Sequence, residues 1–157
     1  MTTPRLDSRM PGGATTAGRP TLRTVVSSVK SDSHTWNLIY IELVLRDLGH
    51  EVVNLGPCVP EDLLVEESAS LRPDLVVLST VNGHGLRDGY GVAGALRADP
   101  RLATVPLAIG GRLTVSGRVD ADADAGLRDA GFDAVFADGD IDAFRVFVGT
   151  IAARTAP

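Results

Sequence analysis

The chain has 157 residues, a length typical of one domain and too short for two comfortable ones. Its 44% hydrophobic and 22% charged content is that of a soluble globular protein, and no apolar run approaches the roughly 20 residues that a membrane span needs. A formal charge of −5 with scattered Lys and Arg disfavours a nucleic-acid partner. One cysteine excludes an internal disulfide, and the N-terminus lacks a secretory signal core, so we expect a cytoplasmic protein.

The beginning of the chain differs in composition from the rest. Residues 1–20 are rich in Gly, Pro, Thr and Ser and contain almost no large apolar side chain. Such a segment cannot bury enough surface to offset its ordering entropy. We therefore expect a flexible tail over residues 1–20 and one domain over residues 21–157.

Hydrophobic periodicity predicts strands that alternate with amphipathic helices. The predicted strands cover residues 22–29, 51–55, 75–78, 105–109 and 134–136. The predicted helices cover residues 36–48, a segment from about residue 60, and residues 90–98, 120–130 and 141–152. The third strand, LVVL, has no polar alternation, which is typical of a central parallel strand. The pattern predicts an α/β fold, a doubly wound five-stranded parallel sheet in the flavodoxin-like order 2-1-3-4-5.

The loop after the first predicted strand contains an aspartate and a histidine at a suggestive spacing. Ligands of doubly wound sheets bind outside the carboxyl ends of the strands, at the switch point beside strand 1. Asp32 and His34 are spaced so that the carboxylate can accept the proton of one imidazole nitrogen while the other nitrogen faces outward. This arrangement suits a metal-ligating histidine, but it also suits a helix-capping aspartate beside an exposed histidine.

The loops after strands 3 and 4 should meet the first loop at the same edge of the sheet. Ser79 ends strand 3, where its hydroxyl could donate to a buried ligand nitrogen. Gly110 and Gly111 follow strand 4 and permit either close approach to a ligand or a turn with positive φ. Each feature alone is compatible with an ordinary strand end or turn. The combination is informative because the fold brings all three loops together.

The three loops resemble the motifs D-x-H-x-x-G, S-x-L and G-G of cobalamin-binding domains, most closely those of the small subunits of glutamate (methylaspartate) mutases. Asp32-x-His34 matches the first motif, Ser79-Thr80-Val81 the second with valine for leucine, and Gly110-Gly111 the third. The resemblance covers residues 22–153, including similar runs at 82–85, 111–117 and 130–133. Three motifs in the right order at element ends are more specific than any one.

The resemblance implies a cofactor, a partner and a set of binding residues. His34 would be the lower ligand to cobalt in place of the cofactor's dimethylbenzimidazole, Asp32 would orient it, and the displaced nucleotide tail would enter a slot between the loops. The implied cofactor is adenosylcobalamin, and the implied partner is a larger barrel subunit that binds the substrate, in a heteromeric isomerase converting L-glutamate to 3-methylaspartate. No catalytic residue is implied on this chain. The cofactor-binding residues carried over are Ser31, Asp32, Ser33, His34, Thr35, Asn37, Ser79, Val81, Asn82, Gly83, Gly110, Gly111 and Arg112.

Two segments of the chain depart from the family pattern. Asn37 stands at the motif glycine, so its side chain must turn aside or make its own hydrogen bond. Residues 138–140 replace a proline-rich turn.

A calcium loop is a further possibility, since Asp120, Asp122 and Asp124 alternate. The late glycine and the missing closing glutamate favour an acidic helix start instead.

Other classes of protein remain open on the sequence. One is a stand-alone corrinoid carrier or sensor, and another is a corrinoid methyltransferase component, which usually carries an upstream helical cap that residues 1–20 cannot form. A third is a flavodoxin-like interaction module without cofactor. A response regulator would need an aspartate where Ser79 stands, and a flavodoxin a phosphate loop where Asp32 and His34 stand.

Overall fold

A computed structural model of the chain describes residue 18 and residues 20–157. The tail predicted for residues 1–20 lies outside the described residues, apart from Gly18 and Pro20. The strands are β1 (Arg23–Ser27), β2 (Glu51–Asn54), β3 (Leu75–Thr80), β4 (Leu107–Gly111) and β5 (Ala134–Phe136). The helices are α1 (Trp36–Asp47), α2 (Glu61–Leu71), α3 (Gly85–Ala98), α4 (Ala121–Ala130) and α5 (Ile141–Thr155).

The five strands form one parallel sheet in the order β2-β1-β3-β4-β5, which confirms the predicted fold class. The order reverses between β1 and β3, where Val25 pairs with Val76. Parallel strands that follow one another through helices all end at the same edge of the sheet. The loops that leave β1, β3 and β4 therefore lie side by side at the switch point.

Helices cover both faces of the sheet, and alternating strand residues divide the core into two clusters. Val76 and Leu78 of β3 pack on one face, under α2, α3 and α4. Leu75 and Val77 pack on the other, under α1 and α5. Every residue of β3 is buried, which explains its lack of polar alternation. A fully buried Leu or Val contributes about 1.5–3 kcal/mol, so this two-sided core is a firm support for the loops at its edge.

Helix α3 begins at Gly85, five residues before the predicted start at residue 90, so that predicted boundary was wrong. The reason is the glycines of its first two turns, which have low helix propensity and suggested a loop. A Cβ on Gly85 would lie 2.4 Å from Thr80 Cγ2, and one on Gly89 would lie 3.0 Å from Leu127 Cδ2. These glycines let the start of α3 pack closely against its neighbours.

Strand β4 is displaced by two residues from the predicted range 105–109. Its glycines are strand residues, since Gly110 pairs with Ser79 and Gly111 pairs with Thr80. Val105 lies before the strand, and its carbonyl accepts a hydrogen bond from Arg97 Nη1 at 2.7 Å. The double glycine therefore extends β4 to the site edge, where a turn had been one of the expectations.

Candidate functional site

The centre of the site is the carboxylate of Asp32, in the loop between β1 and α1. This side chain is fully buried, and it accepts four hydrogen bonds. One oxygen accepts from the backbone N–H of His34 at 3.0 Å and lies 2.6 Å from Nδ1 of the same residue. The other accepts from Thr80 Oγ1 at 2.6 Å and from the Val81 backbone N–H at 2.7 Å. The carboxylate thus joins the loop after β1 to the loop after β3.

These contacts decide which nitrogen of His34 carries the proton. Burial alone would raise the pKa of the Asp32 carboxyl, but hydrogen bonds from Thr80, His34 and Val81 outweigh it and lower the pKa from 3.8 to about 2. An ionised carboxylate only accepts hydrogen bonds, so Nδ1 of His34 is the donor in the 2.6 Å contact. In the neutral ring, the lone pair is then on Nε2.

The histidine is held at its Nδ1 side and open at the other. Its side chain is 49% exposed, whereas that of Asp32 is 0% exposed. Within residues 20–157 no hydrogen bond to Nε2 is formed. A neutral imidazole with a fixed tautomer and an exposed lone pair can act as a metal ligand.

Backbone hydrogen bonds fasten the loops around this pair. Arg112 N–H donates to the carbonyl of Thr80 at 2.9 Å, and Gly83 N–H donates to the carbonyl of Arg112 at 3.2 Å. These two bonds join the loop after β3 to the loop after β4. Cys58 N–H donates to the carbonyl of Asp32 at 2.9 Å. The histidine therefore projects from a loop that is tied to three other segments.

An apolar slot opens beside the loops, between α1 and α5 and over the ends of β3, β4 and β5. Its volume is about 210 Å³. Four aromatic side chains contribute to its wall, those of Trp36, Tyr40, Phe136 and Phe144. Ser79 is among its polar residues and is only 6% exposed. Such a cavity, apolar with few polar groups, suits a flat organic group.

The structure brings most of the predicted site residues together. The slot is lined by Asn37, Ser79, Val81, Gly110 and Gly111. Other predicted site residues belong to the hydrogen-bond network that surrounds Asp32. They are Ser31, His34, Asn82, Gly83 and Arg112. Ser33 and Thr35 are exposed beside His34, and Thr35 is the N-cap residue of α1, although its side chain makes no capping hydrogen bond.

Several residues of the site were not predicted from the sequence. Thr80 lies within the second motif at an unspecified position, yet it is the side chain that hydrogen-bonds Asp32. Asp88 is 7% exposed and accepts a hydrogen bond from Ser31 Oγ. Phe136 ends β5 at the same edge as the other loops, and that position was the available signal. No sequence signal indicated Phe144, because its approach to the slot depends on how α5 packs.

The alternating aspartates at the N-terminus of α4 form a helix start, as the sequence favoured. Asp120 is the N-cap residue, and its side chain accepts from Ala123 N–H at 2.8 Å. Within the described part of the chain, no group of three or more His, Cys, Asp or Glu side chains is placed to hold a metal ion. The helices described there also include none long and apolar enough to cross a membrane.

Taken together, the fold and the site define a cofactor-binding domain of the doubly wound α/β class, with an oriented histidine and an apolar slot at the switch point. The profile of the B12 binding domain matches residues 22–140. The chain belongs to this family.

Curated relatives of the chain are subunits of one enzyme. The glutamate mutase sigma subunit 1 of Haloarcula marismortui is 33% identical over 115 residues, which are 73% of this chain and 75% of the relative. The glutamate mutase sigma subunit of Escherichia coli O157:H7 is 28% identical over 113 residues, 72% of this chain and 75% of the relative. These similarities confirm the resemblance on which the sequence interpretation depends.

Solved structures share the fold at lower identity. A cobalamin-binding protein from Desulfitobacterium hafniense superposes with a TM-score of 0.62 at 22% identity, covering 81% of this chain and 59% of that one. The chain thus spans about three fifths of that protein's length. A response regulator from Desulfuromonas acetoxidans gives a TM-score of 0.62 at 17% identity, covering 85% and 98%. Because both kinds of protein share this fold, the fold alone does not distinguish their functions.

Proposed function

We propose that this chain is the cobalamin-binding subunit of an adenosylcobalamin-dependent carbon-skeleton mutase of the glutamate mutase type, which converts L-glutamate to 3-methylaspartate. The observation that carries the proposal is the Asp32–His34 pair, 2.6 Å apart at the switch point. The sigma-subunit relatives support a glutamate mutase reaction and assembly with a partner subunit, which we propose is a larger, substrate-binding barrel subunit. In this assignment His34 would supply the protein's ligand to the cobalt of the cofactor.

The donor set fits a corrinoid. Because the ring nitrogens of a corrinoid would already hold the cobalt, the protein would need to supply only one further ligand. Nε2 of His34 is that kind of donor, since its ring is oriented by a buried carboxylate and half exposed. A site that had to bind a bare metal ion would need several converging ligands instead.

The slot fits the part of the cofactor that a histidine ligand would displace. If His34 binds the cobalt in place of the cofactor's own base, the slot would hold that base. The aromatic and aliphatic wall of the slot suits a planar base, and Ser79 is a polar residue on that wall. The slot lies beside the loop that carries His34, because α1 both follows that loop and forms one side of the cavity.

The roles of the protein residues follow from these positions. His34 would bind the cobalt, while Asp32 and Thr80 hold the ring in one tautomer and orientation. Val81 N–H adds a third partner to the same carboxylate. The cofactor supplies the radical chemistry when bound, and the chain's part is ligation, orientation and exclusion of water.

A spectroscopic experiment tests the ligation directly. The full chain, uniformly labelled with ¹⁴N or ¹⁵N, is mixed with the Co(II) form of cobalamin, and electron paramagnetic resonance spectra are recorded. If a protein nitrogen binds cobalt, we expect the nitrogen superhyperfine pattern to change from triplets to doublets on labelling. The His34→Ala variant should lose this change.

A second exposed histidine provides a matched control. His84 is the N-cap residue of α3 near the same edge, where its backbone N–H donates to Asn82 Oδ1 at 2.9 Å and its backbone carbonyl accepts from Asp88 N–H at 3.1 Å. The His84→Ala variant should keep the isotope-dependent pattern. A pattern that is the same in both isotopes, or that survives His34→Ala, would contradict the proposed ligation.

A further inference from the structure

A second buried carboxylate lies close to the loop that carries His34, and the proposed ligation does not use it. Asp88, in the first turn of α3, is only 7% exposed. One of its oxygens accepts a hydrogen bond from the Ser31 hydroxyl, and the other accepts from Arg87 Nε at 3.1 Å. Since Ser31 directly precedes Asp32, this bond links the start of α3 to the centre of the site.

The Asp88 carboxyl is held in its charged form, which fixes the direction of the Ser31 bond. Burial alone would raise its pKa, but hydrogen bonds from Ser31 and Arg87 and the nearby positive charges outweigh burial and lower the pKa below 3.8. An ionised carboxylate only accepts, so Ser31 Oγ donates to Asp88. A lone pair of the same Oγ then accepts from Asn82 Nδ2 at 2.9 Å. Ser31 is therefore held both by α3 and by the loop after β3.

This anchor is relevant to the site because the Asp32–His34 pair lies within one loop. The two residues are two positions apart, so they can keep their 2.6 Å contact while the loop moves as a whole against the sheet. Thr80 and Val81 both hold the loop through the same oxygen of Asp32, which fixes one point. A segment fixed at one point can still rotate, and the bonds of Ser31 supply a second point.

The other contacts that hold this loop lie on the side of α2. The carbonyl of Asp32 accepts from Cys58 N–H at 2.9 Å, and Lys30 Nζ lies 3.1 Å from Glu61 Oε1. The lysine side chain is 58% exposed, and an exposed ion pair contributes little. Among the described residues, the hydrogen bond that joins the loop directly to α3 is the one received by Asp88.

We propose that Asp88 is a positioning residue for cobalamin binding, which acts through Ser31 to hold the β1–α1 loop where His34 can bind the cofactor. The inference rests on the proposed cobalamin binding. An acidic residue in the first turn of a helix also has an ordinary structural role, since its charge interacts favourably with the helix dipole. The two roles make different demands: the dipole requires the charge of Asp88, whereas Ser31 requires only a hydrogen-bonding group at that place.

Two substitutions of Asp88 separate these roles. Asp88→Leu removes the hydrogen-bonding group at similar size, and Asp88→Asn keeps such a group without the charge. The affinity of the full chain for cobalamin is measured by absorbance titration, on proteins that urea unfolding shows to be folded. We expect Asp88→Leu to lose about tenfold in affinity, because the loop lacks its second anchor. Asp88→Asn should recover most of that loss, since either end of the amide can bond the Ser31 hydroxyl.

Two results of this comparison would overturn the inference. A purely structural role would lower the urea midpoint of Asp88→Leu and leave the affinity of the folded protein unchanged. A loss in Asp88→Asn as large as that in Asp88→Leu would show that the charge matters and the bond to Ser31 does not. If Asp88→Leu does not fold, Ser31→Ala removes the same bond from an exposed residue, and unchanged affinity there would overturn the inference.

A double-mutant cycle shows whether Asp88 acts through Ser31. In that case Asp88→Leu should cost little further affinity once Ser31→Ala is present, whereas additive losses would contradict the proposed connection. The matched control is Asp99→Leu, which removes a carboxylate at the other end of the same helix, where its partner is Arg101. This control should keep the affinity of the unmodified chain. A tenfold loss there would indicate a general effect of α3 and overturn the inference.

Failure of the positioning role is distinguishable from failure of the proposed function. Histidine-ligated complexes of equal affinity in the unmodified chain and in both Asp88 variants would leave the proposed function intact and remove the positioning role. Failure of the unmodified chain to form a histidine-ligated complex would remove the proposed function and this inference with it.

Discussion

Asp32 is a buried charge whose hydrogen bonds all come from groups near the site. The histidine ring, its backbone N–H, a threonine hydroxyl and the Val81 N–H together surround the two oxygens. A buried carboxylate is tolerated only when its hydrogen bonds are made, so any change of this residue affects several segments at once. Its charge is what keeps the proton of His34 on Nδ1.

Replacing Asp32 by asparagine should weaken cobalamin binding without removing it. An amide can present its N–H₂ to the ring as readily as its oxygen, so the tautomer is no longer fixed. We expect the affinity to fall about 10- to 100-fold, as is typical when the partner of a ligating histidine is lost. Absorbance titration measures this, with Asp62→Asn, on the exposed first turn of α2, as the matched control. Unchanged affinity in a folded Asp32→Asn protein would contradict the orienting role.

His50 gives the protein a pH-dependent contact far from the site. Its Nδ1 accepts from the backbone N–H of Leu22 at 3.2 Å, and burial holds the pKa of this imidazole below 6.5. Below pH 6.5 the unfolded chain gains a proton that the folded chain does not, so stability present above that pH is lost as the pH falls through the folded pKa.

We therefore expect the urea midpoint to fall between about pH 7.5 and pH 5.5, and to fall less in His50→Gln. Protonation destroys the lone pair that receives the Leu22 N–H, whereas glutamine does not titrate. His84→Gln, at an exposed histidine, should behave like the unmodified protein. An identical fall in His50→Gln would show that another group is responsible.

At the scale of elements, glycines decide how closely α3 and β4 approach the end of β3. Gly111 has φ +107°, and a Cβ there would lie 2.1 Å from the carbonyl oxygen of Thr80. Gly85 faces the side chain of the same threonine. Since Thr80 hydrogen-bonds Asp32, the packing of two elements is connected to the orientation of His34.

Gly111→Ala should destabilise the protein by more than about 1 kcal/mol, because both the positive φ and the close carbonyl oppose a side chain. Gly94 is a matched control within α3, where a Cβ meets nothing within 4 Å. Gly94→Ala should stabilise by up to about 1 kcal/mol through helix propensity. Urea unfolding compares the two variants, and equal effects would show that the approach to Thr80 is not restrictive.

At the scale of the whole molecule, one edge of the sheet carries everything that the proposed activity requires of this chain. The oriented histidine and the slot lie there because all five strands are parallel. No group at that edge is assigned to bind the amino-acid substrate. The proposed division of labour therefore leaves substrate binding to the barrel subunit.

We expect the chain with adenosylcobalamin to form no 3-methylaspartate from L-glutamate by itself. Addition of the barrel subunit of a glutamate mutase should give turnover, measured by the absorbance of mesaconate in an assay coupled to methylaspartate ammonia-lyase. His34→Ala should reduce that turnover strongly, because the cofactor loses its protein ligand. A complex that forms on size-exclusion chromatography but has no activity would contradict the assignment to glutamate.

The order of elements was predictable because it depends on short-range pattern. The apolar run of β3 and the period of α1 appear in the residues themselves, and strand-then-helix repeats have few topological solutions. The errors at Gly85 and Gly110 have one cause. A glycine considered with its sequence neighbours alone predicts a loop or a turn. Its place inside α3 or β4 depends on packing against residues that are distant in sequence.

Local features of the chain were enough to predict the doubly wound sheet, the three loops at its edge and the Asp32–His34 pair, because their meeting place follows from parallel topology. The hydrogen bond from Thr80 to Asp32, 48 positions away, and the one from Asn37 to Ser79, 42 positions away, could be known only from the packed structure. The same is true of the aromatic wall of the slot. Such contacts depend on the packing of helices over the sheet, which no periodicity along the chain records.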